Sequence, residues 1–495
     1  MTPQDPILHA FERLVRRDPL APLVVSPERR ATVEDVDALS RAAGAVLGCK
    51  GHASASSATF APGTAVGLAA ANGPGFLASV VALRRAGLAV LLLDARTPDA
   101  EALRILGSLG APALLRCPAG WPAGPGDWTL TTTTPTPAGD RDPGLDGAGF
   151  VKLTSGSTGT PRGIATPSEA LLADDAALTA TMGLGPGDRL LATIPLSHSY
   201  GLSSLAVPAL VRGTLLAIPE AGSVYEPFVT AARLGATFYP TVPAYLDALV
   251  RTSDPPPRPD GLRLVITAGA PLAAATSARF HERFGVPVHV FYGASECGGI
   301  CYDREGGAAE RGTVGSPVDG VRVTLAPVDP PVDGEKGEAS GEGLGVVTVE
   351  SPAVGRGYLP EPDERLAGGR FRAGDLAAWQ GGELALRGRL DDVVNVKGKK
   401  VDPREVEEVL ARLTGVDEAA VLGVAAAGRG GEVLRAVIAC RPGRLTAEEV
   451  VGWCRSHLSA HKVPRSVILV AALPRNARGK LDRSALLALG SDPRA

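Results

Sequence analysis

The 495-residue chain has few aromatic residues and methionines, and its cysteines are not clustered. Aromatic residues make up 4% and there are 2 methionines, so Ala, Val and Leu must supply most of the core. The cysteines number 6, and only Cys297 and Cys301 lie close together, with no histidine pattern beside them. This spacing argues against a zinc site or a disulfide framework and favours reduced thiols.

The chain also lacks an excess of charge of one sign and a long hydrophobic run. With a net charge of −3 it has no basic bias, so nucleic acid is not an expected partner. Residues 1–20 contain no apolar stretch typical of a signal peptide. The longest apolar candidate, residues 76–93, is interrupted by Arg84 and Arg85, so it does not reach the roughly 18 residues that a membrane span needs. We expect a cytoplasmic protein with no integral membrane segment.

The length suggests two to four domains, and the pattern along the chain indicates their class. Strand-like apolar runs alternate with helical patterns before residue 118 and again after residue 149, which predicts two doubly wound α/β subdomains. The predicted strands are residues 65–70, 88–93, 113–115, 190–195, 214–218, 237–240, 262–268 and 288–292. Residues 118–147, rich in Pro, Gly, Thr and Asp, are predicted to form a linker or exposed loop.

The pattern changes twice towards the C-terminus. Residues 312–390 carry short β segments and many glycines, which predicts a small β subdomain. Beyond them, predicted helices from residue 403 and over residues 446–458 flank strands at residues 419–424 and 434–440, typical of a compact α+β module. Thr32 with Asp35, and Thr446, are predicted helix caps.

Residues 154–163, which read TSGSTGTPRG, are the most informative stretch. An apolar run precedes them, and Thr166, Pro167 and Glu169 form the pattern of a capping box, so we expect a loop between a strand and a helix. The glycines allow backbone N–H groups to surround an anion, the hydroxyls donate hydrogen bonds and Arg162 adds a positive charge, which suits a triphosphate. No Gly-Lys-Ser/Thr follows, so this is not a Walker loop. A flexible linker is the alternative.

Four later segments carry candidate chemistry, each with a simpler alternative. Glu296 follows a predicted strand and suits Mg²⁺, or it is a surface residue in a turn. Asp375 is a candidate acceptor for ribose hydroxyls, or an ordinary turn aspartate. Residues 388–392 offer a cation and an acid pair, or a solvated linker. Residues 473–483 form a basic loop, or a solvated tail.

Taken together and in this order, the segments resemble the adenylate-forming superfamily, which includes acyl- and aryl-CoA synthetases, peptide-synthetase adenylation domains and luciferases. Residues 154–163 resemble its phosphate loop, and residues 292–296 its Tyr-Gly-x-Thr-Glu motif, with Ser295 in place of Thr. Residues 269–271 resemble the adenine-contacting turn, and residues 357–358, 371–375 and 388–391 the ribose-binding and hinge series. Residues 397–407 resemble the segment after the hinge. The resemblance covers nearly the whole chain.

The resemblance implies an N-terminal AMP-binding domain over residues 1–388 and a mobile lid over residues 389–495, with the hinge at Asp391. It implies that Arg162, Glu296 and Lys480 are catalytic and that Glu296 binds Mg²⁺. The residues implied to bind ATP are Thr154, Ser155, Gly156, Ser157, Thr158, Gly159, Gly269, Ala270, Pro271, Tyr292, Gly293, Ser295, Asp375 and Arg389. Gly398 and Lys400 are implied to flank the thiol tunnel.

The implied reaction joins a carboxylic acid to a thiol in two steps, using ATP and Mg²⁺. The residues implied to line the acid pocket are His198, Ser199, Tyr239, Thr241, Val242, Ala294 and Gly298. Residues 194–202 lack the aspartate with which amino-acid-activating domains pair an α-amine, so we expect a fatty or aromatic acid without an α-amino group. The expected acceptor is CoA. A carrier-protein thiol and a catalytically silent ATP- or acyl-binding relative are the alternatives, and a homodimer is left open.

One departure from the family pattern stands out. The family's phosphate loop usually ends Pro-Lys-Gly, whereas this chain has Arg162 at the lysine position. Arginine keeps the positive charge but presents it as a planar fork, so we expect the reaction to be retained.

Overall fold

The protein is described from a computed structural model. The residues that it describes are 5–48, 60–133, 147–154, 162–220, 222–223, 225–328, 343–390, 394–396, 399–401, 403–425, 432–458, 460–476 and 481–489. Two compact units make up the chain, one of residues 1–323 and 349–372 and a smaller one of residues 324–348 and 373–495. The fold is α/β with a large N-terminal and a small C-terminal part, as predicted; the domain boundary between residues 388 and 389 stays a prediction.

The helices and strands are numbered in chain order. The helices are α1 (Pro6–Arg17), α2 (Val33–Val46), α3 (Pro74–Arg85), α4 (Asp99–Ser108), α5 (Ser168–Met182), α6 (Ser199–Gly201), α7 (Val207–Arg212), α8 (Glu226–Leu234), α9 (Pro243–Arg251), α10 (Ala274–Phe284), α11 (Ala308–Arg311), α12 (Pro403–Leu410), α13 (Ala447–His457) and α14 (Arg483–Ala488). The strands are β1 (Pro22–Val25), β2 (Arg30–Thr32), β3 (Ala65–Ala70), β4 (Ala89–Leu93), β5 (Ala113–Cys117), β6 (Thr129–Thr132), β7 (Phe150–Leu153), β8 (Gly163–Thr166), β9 (Arg189–Leu191), β10 (Leu215–Ala217), β11 (Phe238–Thr241), β12 (Leu264–Thr267), β13 (Val288–Ala294), β14 (Gly298–Tyr302), β15 (Ser316–Pro317), β16 (Arg322–Ala326), β17 (Gly345–Glu350), β18 (Gly357–Leu359), β19 (Leu366–Ala367), β20 (Arg370–Gln380), β21 (Glu383–Arg389), β22 (Val394–Val396), β23 (Lys399–Val401), β24 (Glu418–Ala425), β25 (Glu432–Ala439) and β26 (Ser466–Val470).

A nine-stranded sheet in the first unit has the order β15-β14-β13-β12-β11-β9-β10-β1-β2. Its neighbours from β13 to β1 are parallel, while β2, β14 and β15 pair antiparallel. The carboxyl ends of β9, β11, β12 and β13 therefore meet at one edge, where open α/β sheets bind ligands.

A seven-stranded sheet in the same unit has the order β18-β8-β7-β4-β3-β5-β6. Strands β5, β3, β4 and β7 are parallel, and β6, β8 and β18 are antiparallel. The prediction of a loop over residues 118–147 is wrong in part, because β6 pairs with β5. Its β-branched threonines suit an exposed edge strand.

The core of the first unit is built mainly from Ala, Val and Leu, as the composition predicts. Helix α3 is buried from Pro74 to Leu83, which matches a helix that is apolar on all sides. Arg84 and Arg85, which interrupt the apolar run, pair with Asp5 at 2.8 Å and Asp37 at 2.6 Å. Within the ranges described, no helix has both the length and the apolar character needed to cross a membrane.

The smaller unit confirms the predicted α+β module. Strands β24, β25 and β26 form a sheet, and β22 pairs with β23. Helices α12 and α13 contribute Val406, Leu410 and Val450 to the core of this module. The predicted caps are confirmed in both units, since Thr32 with Asp35 and Thr446 with Glu449 form capping boxes.

Candidate functional site

The phosphate-loop segment connects two strands rather than a strand and a helix. Strands β7 and β8 pair antiparallel, and the Thr154 N–H donates to the Arg162 carbonyl at 2.9 Å at the base of the loop. The predicted capping box at Thr166 is wrong, because Thr166 is a buried residue of β8 and α5 begins at Ser168 without a side-chain cap. Ile164 and Thr166 are β-branched and fill a strand position, which explains the difference. The ATP-binding candidates Ser155, Gly156, Ser157, Thr158 and Gly159 lie outside the described residues.

Glu296 lies in the turn between β13 and β14. Tyr292 is a strand residue as predicted. Strand β13 extends beyond its predicted end, so Gly293 is a strand residue too, and Ser295 shares the turn with Glu296. The Glu296 carbonyl accepts a 2.7 Å hydrogen bond from the Gly355 N–H. Its carboxylate accepts one of 2.9 Å from the Tyr358 hydroxyl. The carboxylate is therefore held at the carboxyl-end edge of the nine-stranded sheet.

Tyr358 contacts Arg162 as well as Glu296. It lies opposite Ile164 where β18 pairs with β8, and the Arg162 guanidinium carbon lies 4.0 Å from the centre of its ring. Arg162 donates to an Asp363 oxygen at 2.9 Å and to the Glu361 carbonyl at 3.0 Å. The structure thus places two of the predicted catalytic residues in contact with one tyrosine, Arg162 over its ring and Glu296 at its hydroxyl.

The ionisation states in this group follow from burial and from the neighbouring charges. Burial, and then the Glu296 carboxylate, raises the pKa of Tyr358 far above its usual value, so the phenol stays protonated and donates. Hydrogen bonding from Arg365, opposed by burial and assisted by Arg162, lowers the pKa of Asp363 well below its usual value. Sequence reasoning grouped Tyr358 with the ribose-binding series and missed Asp363.

Two buried ionisable residues lie close to the Glu296 turn. Lys152 in β7 and Asp174 in α5 are 2% and 3% exposed. Asp174 accepts a 3.0 Å hydrogen bond from the Gly299 N–H. Gly298 has φ +71°, and a Cβ there would lie 2.3 Å from an Asp174 oxygen, so only glycine fits. Burial lowers the pKa of Lys152 and raises that of Asp174, while each charge opposes the shift of the other.

Sequence reasoning missed Lys152 and Asp174. A usable signal is present, because Lys152 interrupts the apolar run Phe150-Val151-Lys152-Leu153 on a strand that is otherwise apolar. A lysine at such a position must be buried with an acidic partner or neutral.

Several predicted contact residues lie along the carboxyl-end edge of the nine-stranded sheet. Gly269, Ala270 and Pro271 are exposed directly after β12, and Gly269 has φ +86°. Thr241 is the last residue of β11, and Val242 follows it. Ala294 and Gly298 bracket the Glu296 turn and are half-buried. These residues come from successive strands and so lie near one another.

Tyr239 differs from the expectation that it lines the acid pocket. It is 1% exposed, and its ring packs edge-on against Phe228 with centres 6.1 Å apart. The Thr241 hydroxyl donates to the Tyr239 hydroxyl at 3.2 Å. In this structure Tyr239 is a core residue that supports Thr241.

His198 begins a short helical segment after β9. Its Nδ1 accepts a 3.3 Å hydrogen bond from the Tyr200 N–H, and its ring is exposed. Ser199 follows as the first residue of α6 and is half-buried. The Tyr200 ring stacks on Phe291 of β13 with centres 5.8 Å apart. Because Nδ1 accepts this bond, a neutral His198 ring carries its proton on Nε2.

The smaller unit holds the remaining candidates. Asp375 and Arg389 lie directly opposite each other on β20 and β21, and Arg389 Nε is 3.6 Å from an Asp375 oxygen. Lys400 is a backbone member of β23. Asp391, Gly398 and Lys480 lie outside the described residues. An antiparallel bridge between Arg475 and Leu481 flanks the segment that contains Lys480.

The arrangement suits an anionic ligand with one bound metal ion. Across the described residues, no cluster of three or more His, Cys, Asp or Glu side chains could hold a metal. A single carboxylate such as Glu296 fits Mg²⁺, which takes its other ligands from phosphates and water. A hydroxyl-rich loop, a cation and a carboxylate at the strand ends of an α/β fold define a nucleotide-dependent enzyme.

Comparison with known proteins agrees with this class. The model of the AMP-binding enzyme family matches residues 11–359, and that of the AMP-binding enzyme C-terminal domain matches residues 405–480. A sulfoacetate–CoA ligase of Cupriavidus necator is 31% identical over 82% of this chain and 75% of its own length. A feruloyl-CoA synthase of Amycolatopsis is 30% identical over 85% of this chain and 87% of its own length. ATP-bound MatB from Rhodopseudomonas palustris has the same fold, with a TM-score of 0.78 at 23% identity over 98% of this chain and 99% of that one.

The chain belongs to the AMP-binding enzyme family. This confirms the resemblance on which the sequence analysis relied. The class of reaction is AMP-forming ligation of an acid to a thiol.

Proposed function

We propose that this protein uses ATP to convert a carboxylic acid without an α-amino group into an acyl-adenylate, and then transfers the acyl group to the thiol of CoA. One observation carries the proposal: Arg162, at the end of the TSGSTGTPRG loop, and Glu296 both contact Tyr358. The matching relatives are CoA ligases by name, which favours CoA over a carrier protein as the acceptor.

The chemistry explains why these residue types are needed. A carboxylate that attacks the α-phosphate of ATP brings two anions together, so fixed positive charge and positioning lower the barrier. Mg²⁺, when bound by Glu296, would neutralise phosphate charge. Arg162 and the hydroxyls of Ser157 and Thr158 would hold the β- and γ-phosphates. Lys480 would supply an ammonium group to the reacting carboxylate.

The remaining groups of the nucleotide have candidate partners among the residues named above. The exposed turn Gly269-Ala270-Pro271 would contact adenine, and the cross-strand pair Asp375 and Arg389 would hold the ribose. Rotation at Asp391 would exchange Lys480 for the Gly398 and Lys400 segment before thiol attack.

The acid would lie along the carboxyl-end edge beside Val242, Ala294 and Gly298, with His198 and Ser199 at its rim. Thr241 is buried and would support this wall from within. No aspartate lies in residues 194–202, which supports an acid without an α-amine. Tyr239 would act through Thr241, because its own ring is buried in the core.

The test is AMP and thioester formation from ATP, Mg²⁺, CoA and a panel of acids that includes fatty acids, benzoates and amino acids. An acyl-CoA product from a fatty or aromatic acid supports the proposal. Acid-dependent pyrophosphate release without a CoA product would replace CoA by a carrier protein. ATP binding without pyrophosphate exchange for any acid would favour the silent alternative.

Glu296→Gln should lower kcat/KM for adenylation by about 10²–10³-fold, the range seen when one electrostatic group of a catalytic site is removed. The amide oxygen still accepts from Tyr358, so folding should be retained. Glu305→Gln, at an exposed position in the same unit, is the matched control and should leave the rate unchanged. An active Glu296→Gln enzyme with normal Mg²⁺ dependence would remove Glu296 from the proposed site.

A further inference from the structure

A series of contacts begins at Asp363 and ends at Glu296. Asp363 accepts a hydrogen bond from Arg162 at 2.9 Å, and Arg162 covers the ring of Tyr358 at 4.0 Å. Tyr358 donates to the Glu296 carboxylate at 2.9 Å. Each residue in this series therefore restrains the next, although Asp363 and Glu296 share no hydrogen bond that the structure records.

Arg162 can make all of these contacts because its guanidinium is planar and forked. One terminal nitrogen reaches Asp363, and the other reaches the Glu361 carbonyl at 3.0 Å. The flat face is left to stack on Tyr358. A lysine at this position would have three donors on one nitrogen and no flat face, so it could not reach these two acceptors from two separate nitrogens while a plane stacks on the ring. The departure from the usual Pro-Lys-Gly ending thus has a structural counterpart.

Asp363 is itself held firmly. Arg365 donates to its carboxylate from Nε at 3.1 Å and from Nη2 at 2.8 Å, and the Arg365 N–H donates at 2.9 Å. The Asp363 side chain is 22% exposed, and that of Arg162 is 28% exposed. A carboxylate fixed from three directions is a rigid anchor for the arginine it binds.

We propose that Asp363 is a positioning residue for the metal-dependent step: it fixes Arg162 on Tyr358 and so orients the Glu296 carboxylate towards Mg²⁺·ATP. The proposal rests on the proposed function, since it assumes that Glu296 binds the metal. Asp363 acts only through Arg162 and Tyr358 and touches no reactant.

The test is calorimetric titration of the full-length protein with ATP, once with excess Mg²⁺ and once with EDTA. The quantity compared is the Kd for ATP in EDTA divided by the Kd for ATP with Mg²⁺. A larger ratio means that Mg²⁺ strengthens ATP binding more. Asp363→Asn should lower this ratio about tenfold, the size expected for the loss of one charge-assisted hydrogen bond. Asp363→Glu keeps the carboxylate and should recover part of the loss.

Two further variants test the route of the effect. In a Tyr358→Phe background, Asp363→Asn should change the ratio by less than about twofold, because residues that act through one contact are not additive. Arg162→Lys should resemble Asp363→Asn, and it gives an independent reading if Asp363→Asn does not fold. Asp319→Asn is the matched control, because Asp319 forms a 2.7 Å ion pair with Arg304 in the same unit.

The outcomes separate this role from the proposed function. A wild-type protein that binds no ATP overturns both. A wild-type protein that binds Mg²⁺·ATP, with an unchanged ratio in Asp363→Asn and Arg162→Lys, overturns the positioning role alone. A full additive effect in the Tyr358→Phe background also overturns it, because Asp363 would then act by another route.

Discussion

Two hairpins carry the candidate site, and the side chains that support them differ in burial. The loop hairpin, β7 and β8, is closed by Arg162, which is bound by the partly exposed Asp363. The acid hairpin, β13 and β14, carries Glu296, and its Gly299 N–H donates to the buried Asp174 of α5. The loop hairpin is thus held by a partly exposed ion pair, and the acid hairpin by a hydrogen bond to a buried carboxylate.

This difference in burial separates contacts that stabilise the fold from contacts that matter for ligand binding. Removing the acceptor of a buried N–H leaves that donor unsatisfied and costs about 1–3 kcal/mol, whereas a partly exposed ion pair contributes at most about 1 kcal/mol to stability. The buried acceptor Asp174 should therefore determine whether the acid hairpin forms. The contact between Arg162 and Asp363 should matter mainly once a ligand is bound.

The largest effect is expected for Asp174→Ala. It removes the acceptor of the buried Gly299 N–H and leaves that donor unsatisfied, so the free energy of unfolding should fall by up to about 3 kcal/mol. Urea unfolding followed by circular dichroism measures the change, with Asp319→Ala as the exposed control. A loss below about 1 kcal/mol would mean that the acid hairpin does not depend on its buried support.

The next effect is a pH dependence at the neighbouring carboxylate. Burial raises the pKa of Asp175 to about 6, although its contact with Arg212 opposes the shift. A raised pKa in the folded state means that the folded protein binds the proton more tightly, so the contribution of Asp175 to stability is largest below about pH 4 and is lost as the pH rises to about 6. The stability of wild type relative to Asp175→Asn should therefore fall by about 2 kcal/mol across this interval.

The measurement is urea unfolding of both proteins at intervals between pH 4 and 7. A difference between them that stays constant, or that grows with pH, would contradict a raised pKa at Asp175.

A smaller effect is expected at Tyr358, which contacts both Arg162 and Glu296. Tyr358→Phe removes one hydrogen bond to the half-buried Glu296 and should lower the free energy of unfolding by about 1 kcal/mol. Its thermal midpoint can be compared with that of Tyr245→Phe, a substitution at an exposed tyrosine of α9. Equal midpoints in the two variants would show that the hydroxyl contributes nothing to folding.

The smallest effect on folding is expected for Asp363→Asn. The pair with Arg162 is partly exposed, so unfolding should change by no more than about 1 kcal/mol. The same variant is expected to alter Mg²⁺-dependent ATP binding clearly. A large loss of stability would remove the contrast between the two hairpins.

Local sequence patterns predicted most elements, because the hydrophobic period and the caps are written in neighbouring residues. Strand β3 has its predicted bounds, and α2 and α13 begin directly after their predicted caps, Thr32 and Thr446. The carboxyl-end candidates from Thr241, Gly269 and Glu296 also lie at one edge. The order of the motifs was enough to identify the family.

Chain connectivity at the phosphate loop was not predictable in the same way. The residues around Thr166 satisfy a capping-box pattern and a β-strand pattern equally well. The pairing of β8 between β7 and β18 favours the strand, and β18 lies about 190 residues further along the chain.

The sequence by itself determined the class of protein, the alternation of strands and helices, and the residue types at the site. Only the tertiary structure decided that Tyr358 bonds Glu296 across 62 positions, that Asp174 supports Gly299 across 125, and that Asp363 binds Arg162 across 201. These contacts depend on strand order and register, which bring distant segments together, and no local period encodes which distant segments will meet.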